Sequence, residues 1–113
     1  MNWIALNSAD QLEEIQNSNE PIVIFKHSTR CSVSGMARRN IEFESSLLPE
    51  NMPTYFLDLI KYRDLSNLIA ETWNVRHESP QILLIHHKQC IYHASHNEIS
   101  LADVVVKINQ LQA

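Results

Sequence analysis

One glycine in 113 residues, Gly35, is the first constraint on what this chain does. Loops that cradle phosphates, whether of the dinucleotide or the nucleoside-triphosphate kind, need several closely spaced glycines, so both are excluded. Cysteine is scarce as well. Cys31 and Cys90 stand far apart, which fits neither a disulfide framework nor a paired zinc motif and points to a functional thiol in a reducing compartment. No stretch approaches the ~20 apolar residues of a membrane span, and Met1 to Asp10 lacks the basic and apolar regions of a signal peptide. The expected location is therefore the cytoplasm, with no membrane partner. Nine Lys and Arg against 13 Asp and Glu give a net charge of −4 with no basic run, which argues against nucleic acid as a partner. With 44% hydrophobic and 19% charged residues, the expectation is a single globular domain over 1–113, large enough to bury one core without staples.

Hydrophobic periodicity divides the chain into alternating elements. Ser8 to Asn17 reads as a short amphipathic helix with Leu12 and Ile15 inward, after a minor first strand around Trp3 to Leu6. Asn19-Glu20-Pro21 breaks it, and Ile22 to Lys26 follows as a buried strand. A second helix is expected from Cys31 to about Leu48, with Met36, Asn40, Phe43 and Leu47 as its stripe and Met36 and Phe43 in the core. Pro49 and Pro53 bracket a turn before the strand Thr54 to Leu59. Leu65, Leu68, Ile69 and Trp73 mark a third helix, with Asp64 as its N-cap. Gln81 to His86 and Cys90 to Ala94 form a hairpin turning near Lys88-Gln89, and Ser100 caps a last helix from Leu101 to Leu111. The order α-β-α-β-α-β-β-α predicts an α/β fold, a central mixed β-sheet flanked by helices on both faces.

Cys31 occupies the point in this order where chemistry is expected. The apolar run Ile22-Val23-Ile24-Phe25 reads as a strand, and Lys26 to Arg30 is only long enough for a strand-to-helix turn, so Cys31 opens a helix. Free backbone N–H groups and the helix dipole there, with Arg30 adjacent, favour the thiolate. Ser34 lies three residues on, returns to the same helical face and is placed to donate its hydroxyl to the sulfur. Cys-x-x-Ser cannot close a disulfide, so the oxidised form of Cys31 is a mixed disulfide or a sulfenic acid. The plainer alternative is a cysteine packed as a small hydrophobe.

The element order, the cysteine at the start of the helix after the first long strand, and Ser79-Pro80 before the terminal hairpin resemble the thioredoxin fold. Three stretches are similar to the monothiol bacilliredoxins of the YtxJ type: Lys26-His27-Ser28-Thr29-Arg30-Cys31-Ser32-Val33-Ser34, then Val75-Arg76-His77-Glu78-Ser79-Pro80-Gln81, then His93-Ala94-Ser95-His96. The resemblance covers essentially the whole chain. It implies a thioredoxin-like fold in which Pro80 is cis and the Ser79 backbone pairs with an extended substrate. It also implies a monothiol oxidoreductase: Cys31 removes the low-molecular-weight thiol bacillithiol, a co-substrate and not a resident cofactor, from bacillithiolated client proteins.

Several residues keep two readings. A strand entered at Pro80 runs away from the active end and returns, so Ser95 and His96 come back to it, either to contact substrate or to cap the next loop. Thr29 and Arg30 either offer a hydroxyl and a positive charge to an anionic thiol or sit in an exposed turn. His27 is expected to be a solvated turn residue. Cys90, at the far end of the hairpin, lies roughly 25 Å from Pro80 at ~3.3 Å per residue, beyond the ~7 Å between Cα atoms that a disulfide allows. It is expected to be structural, with an occasional intermolecular disulfide as the sharper alternative. A metal-binding module built on His86, His87, Cys90, His93 and His96 is a rival, opposed by strand alternation, and no metal site is expected. A noncatalytic thioredoxin-like adaptor or redox sensor is the other rival. A monomer or weak dimer is expected.

Overall fold

The β-branched run after Pro21 forms β2 (Ile22–His27), and every one of its side chains is buried, as expected of a strand covered on both faces. The computed structural model describes residues 1–111. The remaining elements are β1 (Ile4–Ala5), α1 (Ala9–Asn17), α2 (Ser32–Phe43), β3 (Thr54–Asp58), α3 (Arg63–Trp73), β4 (Gln81–His86), β5 (Gln89–Ser95) and α4 (Leu101–Leu111), with short 3-10 turns at Ser45–Leu47 and His96–Glu98. The strands form one sheet in the order β1-β3-β2-β4-β5. β1, β3 and β2 run parallel, β4 is antiparallel to β2, and β5 is antiparallel to β4. This is the mixed sheet with flanking helices that the element order predicts.

Alternation along β2 divides the interior in two. Ile22 and Ile24 pack with Leu12, Ile15, Leu65, Ile69 and Trp73 of α1 and α3 on one face. Val23 and Phe25 pack with Ala37, Ile41, Leu101, Val104 and Ile108 of α2 and α4 on the other. Each fully buried aliphatic or Phe side chain contributes about 1.5–3 kcal/mol, so both layers hold the sheet in place beneath the helix that starts after Cys31.

Three expectations need correction. The second helix stops at Phe43 instead of continuing to Leu48. Its inward face is Ser34, Ala37 and Ile41, while Met36 is 57% and Phe43 88% exposed. The Met36, Phe43 stripe has helical spacing but lies on the solvent side, because Ser34 and Ala37, one small and one polar, are what the close approach to the sheet admits. Asp64 lies in the first turn of α3, and Tyr62 occupies the N-cap position. The hairpin turns at His87-Lys88, with His86 paired to Gln89, so Lys88-Gln89 lies at the turn as expected.

The shortage of glycine has a visible consequence. Left-handed backbone falls on Asn74, His87, Lys88 and His96. A two-residue hairpin turn of this hand needs positive φ at both central residues, and His87 and Lys88 supply it at a cost of roughly 1–2 kcal/mol each. The irregularity between Leu84 and Ile85, which pair with Tyr92 and Cys90, leaves Ile91 as the extra residue.

Candidate active site

The turn after β2 is tight. The Cys31 N–H donates to the Ser28 carbonyl at 3.3 Å, enclosing the exposed Thr29 and Arg30, and the Gly35 N–H donates to the Cys31 carbonyl at 3.1 Å. Cys31 is thus the N-cap of α2, half-buried and with a free thiol. Its side chain makes no capping bond, so the helix N-terminus leaves backbone donors open beside the sulfur.

Ser34 is completely buried under this turn. Its oxygen accepts from the Ser28 N–H at 3.0 Å and lies 2.7 Å from His27 Nδ1. The hydroxyl is therefore engaged with His27 and Ser28, and the expected bond to the Cys31 sulfur gives way to one that braces the turn carrying it. His27 corrects a second expectation: it is the last residue of β2 and buried, not a solvated turn residue. Burial, then the Arg38 guanidinium, lower its pKa below 6.5, against smaller opposing effects from Asp58, Ser34 and Glu42. A neutral ring accepts the Ser34 hydroxyl proton at Nδ1 and carries its own at Nε2. The ring packs 5.3 Å from Phe56, on which Arg38 also stacks at 4.8 Å.

The segment before β4 lies at the same end of the sheet, because Gln81 pairs with Lys26 of β2. The Ser79–Pro80 peptide bond is cis, and the Ser79 hydroxyl is buried without a partner among the described residues. Gln81 pairs with Ser95 across the hairpin, and the His96 N–H donates to the Pro80 carbonyl at 3.0 Å. Ser95 Oγ donates to Glu78 at 3.1 Å, and the His96 ring lies 3.9 Å from the same carboxylate. Ser95 and His96 therefore return to the Pro80 end. There they line an open cavity of about 440 Å³ with Glu78, His93 and Glu98.

Cys90 lies at the opposite end of the hairpin, paired with Ile85, its thiol donating to the Tyr92 carbonyl at 3.3 Å. Burial raises its pKa. The histidines near it disperse: His86 and His87 stay at the turn, with ring centroids 3.9 Å apart, and His96 is carried to the Pro80 end. Among the described residues, no three His, Cys, Asp or Glu side chains converge to hold a metal ion.

Sequence reasoning passed over Lys26. It is fully buried on the face opposite Cys31, with Nζ 3.2 Å from the Ser66 carbonyl and 3.3 Å from His77 Nδ1. Burial lowers its pKa to about 8. The available signal was a lysine alternating in phase with Ile22 and Ile24 on a strand buried on both faces.

A half-buried thiol capping the helix after a central parallel strand, with a cis-proline just before the antiparallel strand paired to it, is the arrangement of the thioredoxin-like thiol oxidoreductases. Solved structures agree. A thioredoxin-fold protein proposed to be an oxidoreductase is 30% identical with a TM-score of 0.79, over 94% of this chain and 92% of that one. Thioredoxins of Malassezia sympodialis (19% identity, TM-score 0.73, 99% and 92% covered) and Trypanosoma brucei brucei (13%, 0.74, 98% and 91%) share the fold. Within that class the chain belongs to the monothiol bacilliredoxin family, whose model, Monothiol bacilliredoxin BrxC, matches residues 4–104.

Proposed function

We propose that the protein is a monothiol thiol-disulfide oxidoreductase that removes bacillithiol from protein mixed disulfides. The observation that carries this reading is the isolation of one sulfur: Cys31 caps α2, position 34 is a buried serine, and Cys90 is at the far end of the hairpin. The Cys31 thiolate attacks the bacillithiol sulfur of the client mixed disulfide, and that disulfide bond breaks. The client sulfur leaves with the electron pair and takes a proton from solvent, so the client is reduced and Cys31 holds bacillithiol as a disulfide. A second small-molecule thiolate then attacks the same bacillithiol sulfur, forming a small-thiol disulfide and freeing Cys31.

Ser34 acts by fixing the turn that presents the sulfur. The Ser79 backbone beside Pro80 pairs with the client chain. Thr29 and Arg30, exposed on the turn, offer a hydroxyl and a positive charge to an anionic thiol, and Ser95 and His96 offer polar groups from the cavity side.

The test is incubation with a bacillithiolated client followed by intact-mass measurement. Wild type should take up the thiol adduct while reduced client appears, and Cys31→Ala should do neither. A Cys31→Ala protein as active as wild type would overturn the mechanism. Oxidation of Cys31 by peroxide with no exchange against the bacillithiolated client would instead favour a redox sensor.

A further inference from the structure

Lys26 is the only fully buried Lys or Arg among the described residues, and none of their carboxylates forms an ion pair with it. Its acceptors are a carbonyl on α3 and an imidazole nitrogen in the loop before Pro80. Burying an ammonium with only neutral partners is costly, and such a group persists where its geometry serves a purpose.

The geometry brackets Pro80 from both sides. In the ladder Lys26 is the partner of Gln81, the residue after Pro80, and its side chain reaches His77, three residues before Pro80. Ser66 of α3 adds its hydroxyl to the same His77 Nδ1 at 3.2 Å. Gln81 Nε2 donates to the Arg76 carbonyl at 3.0 Å and closes the loop on itself. From these contacts we propose that Lys26 and His77 form a buried latch that positions the Ser79–Pro80 segment for the docking client chain. Lys26 is on this account a positioning residue, acting through His77 on a surface it does not itself touch. The inference rests on the exchange reaction proposed above for its consequence, though not for the latch itself.

Two protonation states set the latch. His77 Nδ1 must be unprotonated to accept from both Lys26 and Ser66, and its pKa is lowered by burial, then by Lys26 and Arg63, against Glu78. Lys26 must be charged for its bond to be the stronger, charge-assisted kind. Gln81 of β4, Leu57 of β3 and Ser66 of α3, which face or adjoin it, are neutral, so burial alone lowers its pKa to about 8. The latch is therefore closed at neutral pH, loosening as Lys26 loses its proton above about 8 and as His77 gains one in acid.

Lys26→Met keeps the apolar stem and removes the donor. The first measurement needs no client: hydrogen exchange of the amides in residues 76–81 at one neutral pH. The latch predicts that Lys26→Met exchanges there about tenfold faster, the loss of one charge-assisted bond, and that Ser66→Ala, which keeps Lys26, shows a smaller increase. Equal protection in wild type and Lys26→Met would overturn the latch. The second measurement is the rate of exchange with a client peptide carrying bacillithiol, divided by the rate of Cys31 alkylation by iodoacetamide. Both reactions need the thiolate, so the ratio removes its ionisation and leaves docking. The ratio should fall about tenfold in Lys26→Met. In wild type it should decline above about pH 8, with no such decline in the variant. A ratio that ignores both the substitution and pH would overturn the docking role, whereas no exchange by wild type at all would overturn the proposed reaction and leave the hydrogen-exchange result to decide the latch.

Discussion

Cys31 and Cys90 are both free and both half-buried, yet the fold gives them different surroundings. Cys31 caps a helix on a tight turn that follows the strand paired with Gln81, next to Pro80, with backbone donors open beside it. Cys90 lies within β5, bonded to the Tyr92 carbonyl and packed against the α1 and α3 layer, where burial disfavours its thiolate. Their degree of exposure does not separate them. What does is the element each one belongs to: a helix start collects unpaired N–H groups, whereas the Cys90 thiol lies on the edge strand β5, packed against the sheet and donating to a backbone carbonyl, and burial outweighs what backbone groups offer its thiolate.

The largest expected effect breaks the symmetry between the two outright. Cys31→Ala should abolish adduct uptake and client reduction in the mass assay, while Cys90→Ala should retain both; loss of exchange in Cys90→Ala would dissolve the distinction. Next in size is Ser34→Cys, which places a second sulfur one helical turn from the first. Oxidation should then yield an intramolecular disulfide, seen as resistance of both thiols to alkylation until reductant is added. The same change disturbs the Ser28 and His27 contacts and should lower stability by about 1–2 kcal/mol in urea titration.

The pH dependence of stability comes third and separates the two faces of β2. On the Cys31 face His27, and on the opposite face His77, have lowered pKa values, so below 6.5 the unfolded chain binds protons that the folded chain refuses. The contribution of these two histidines should be complete above about pH 6.5 and be lost as pH drops below it. Lys26 works at the alkaline end with the same sign. Between about 8 and 10.5 the unfolded chain is the more protonated, so stability should rise with pH there, by on the order of 3 kcal/mol from this group alone, and Lys26→Met should remove that rise. Urea unfolding across the pH range checks both limbs, and a flat profile would contradict the burial of these groups. Smallest is Cys90→Ala, expected to cost about 1 kcal/mol or less for a partly buried side chain.

Most of the framework was legible because it depends on local pattern. Apolar runs, Pro21 and Pro80, and the helical spacing of Leu65, Ile69 and Trp73 each declare an element, and the order of elements leaves few topologies. The site was half legible. Cys31 follows from the strand-turn-helix pattern and the return of Ser95 and His96 to the Pro80 end from strand direction, neither of which needs side-chain detail, whereas Pro80 entered through the resemblance to the thioredoxin fold. Met36 and Phe43 misled because two stripes with helical spacing exist on α2, and only tertiary packing selects Ser34, Ala37 and Ile41. His27 and Lys26 were misjudged or missed because polar residues are ordinarily exposed, and their burial is decided by partners distant in sequence: α3 and the His77 loop for Lys26, α2 for His27. The turn at His87-Lys88 carries no glycine signal, since the chain has none to spare there.

The central claim is that a single sulfur exchanges with the small thiol of a client mixed disulfide. Peptide mapping of wild-type protein, quenched with acid after brief exposure to a bacillithiolated client, tests it most directly. The bacillithiol adduct should appear on Cys31, with Cys90 unmodified and reduced client formed in step with the adduct. An adduct on Cys90, a Cys31–Cys90 disulfide, or reduced client without any adduct on Cys31 would contradict it.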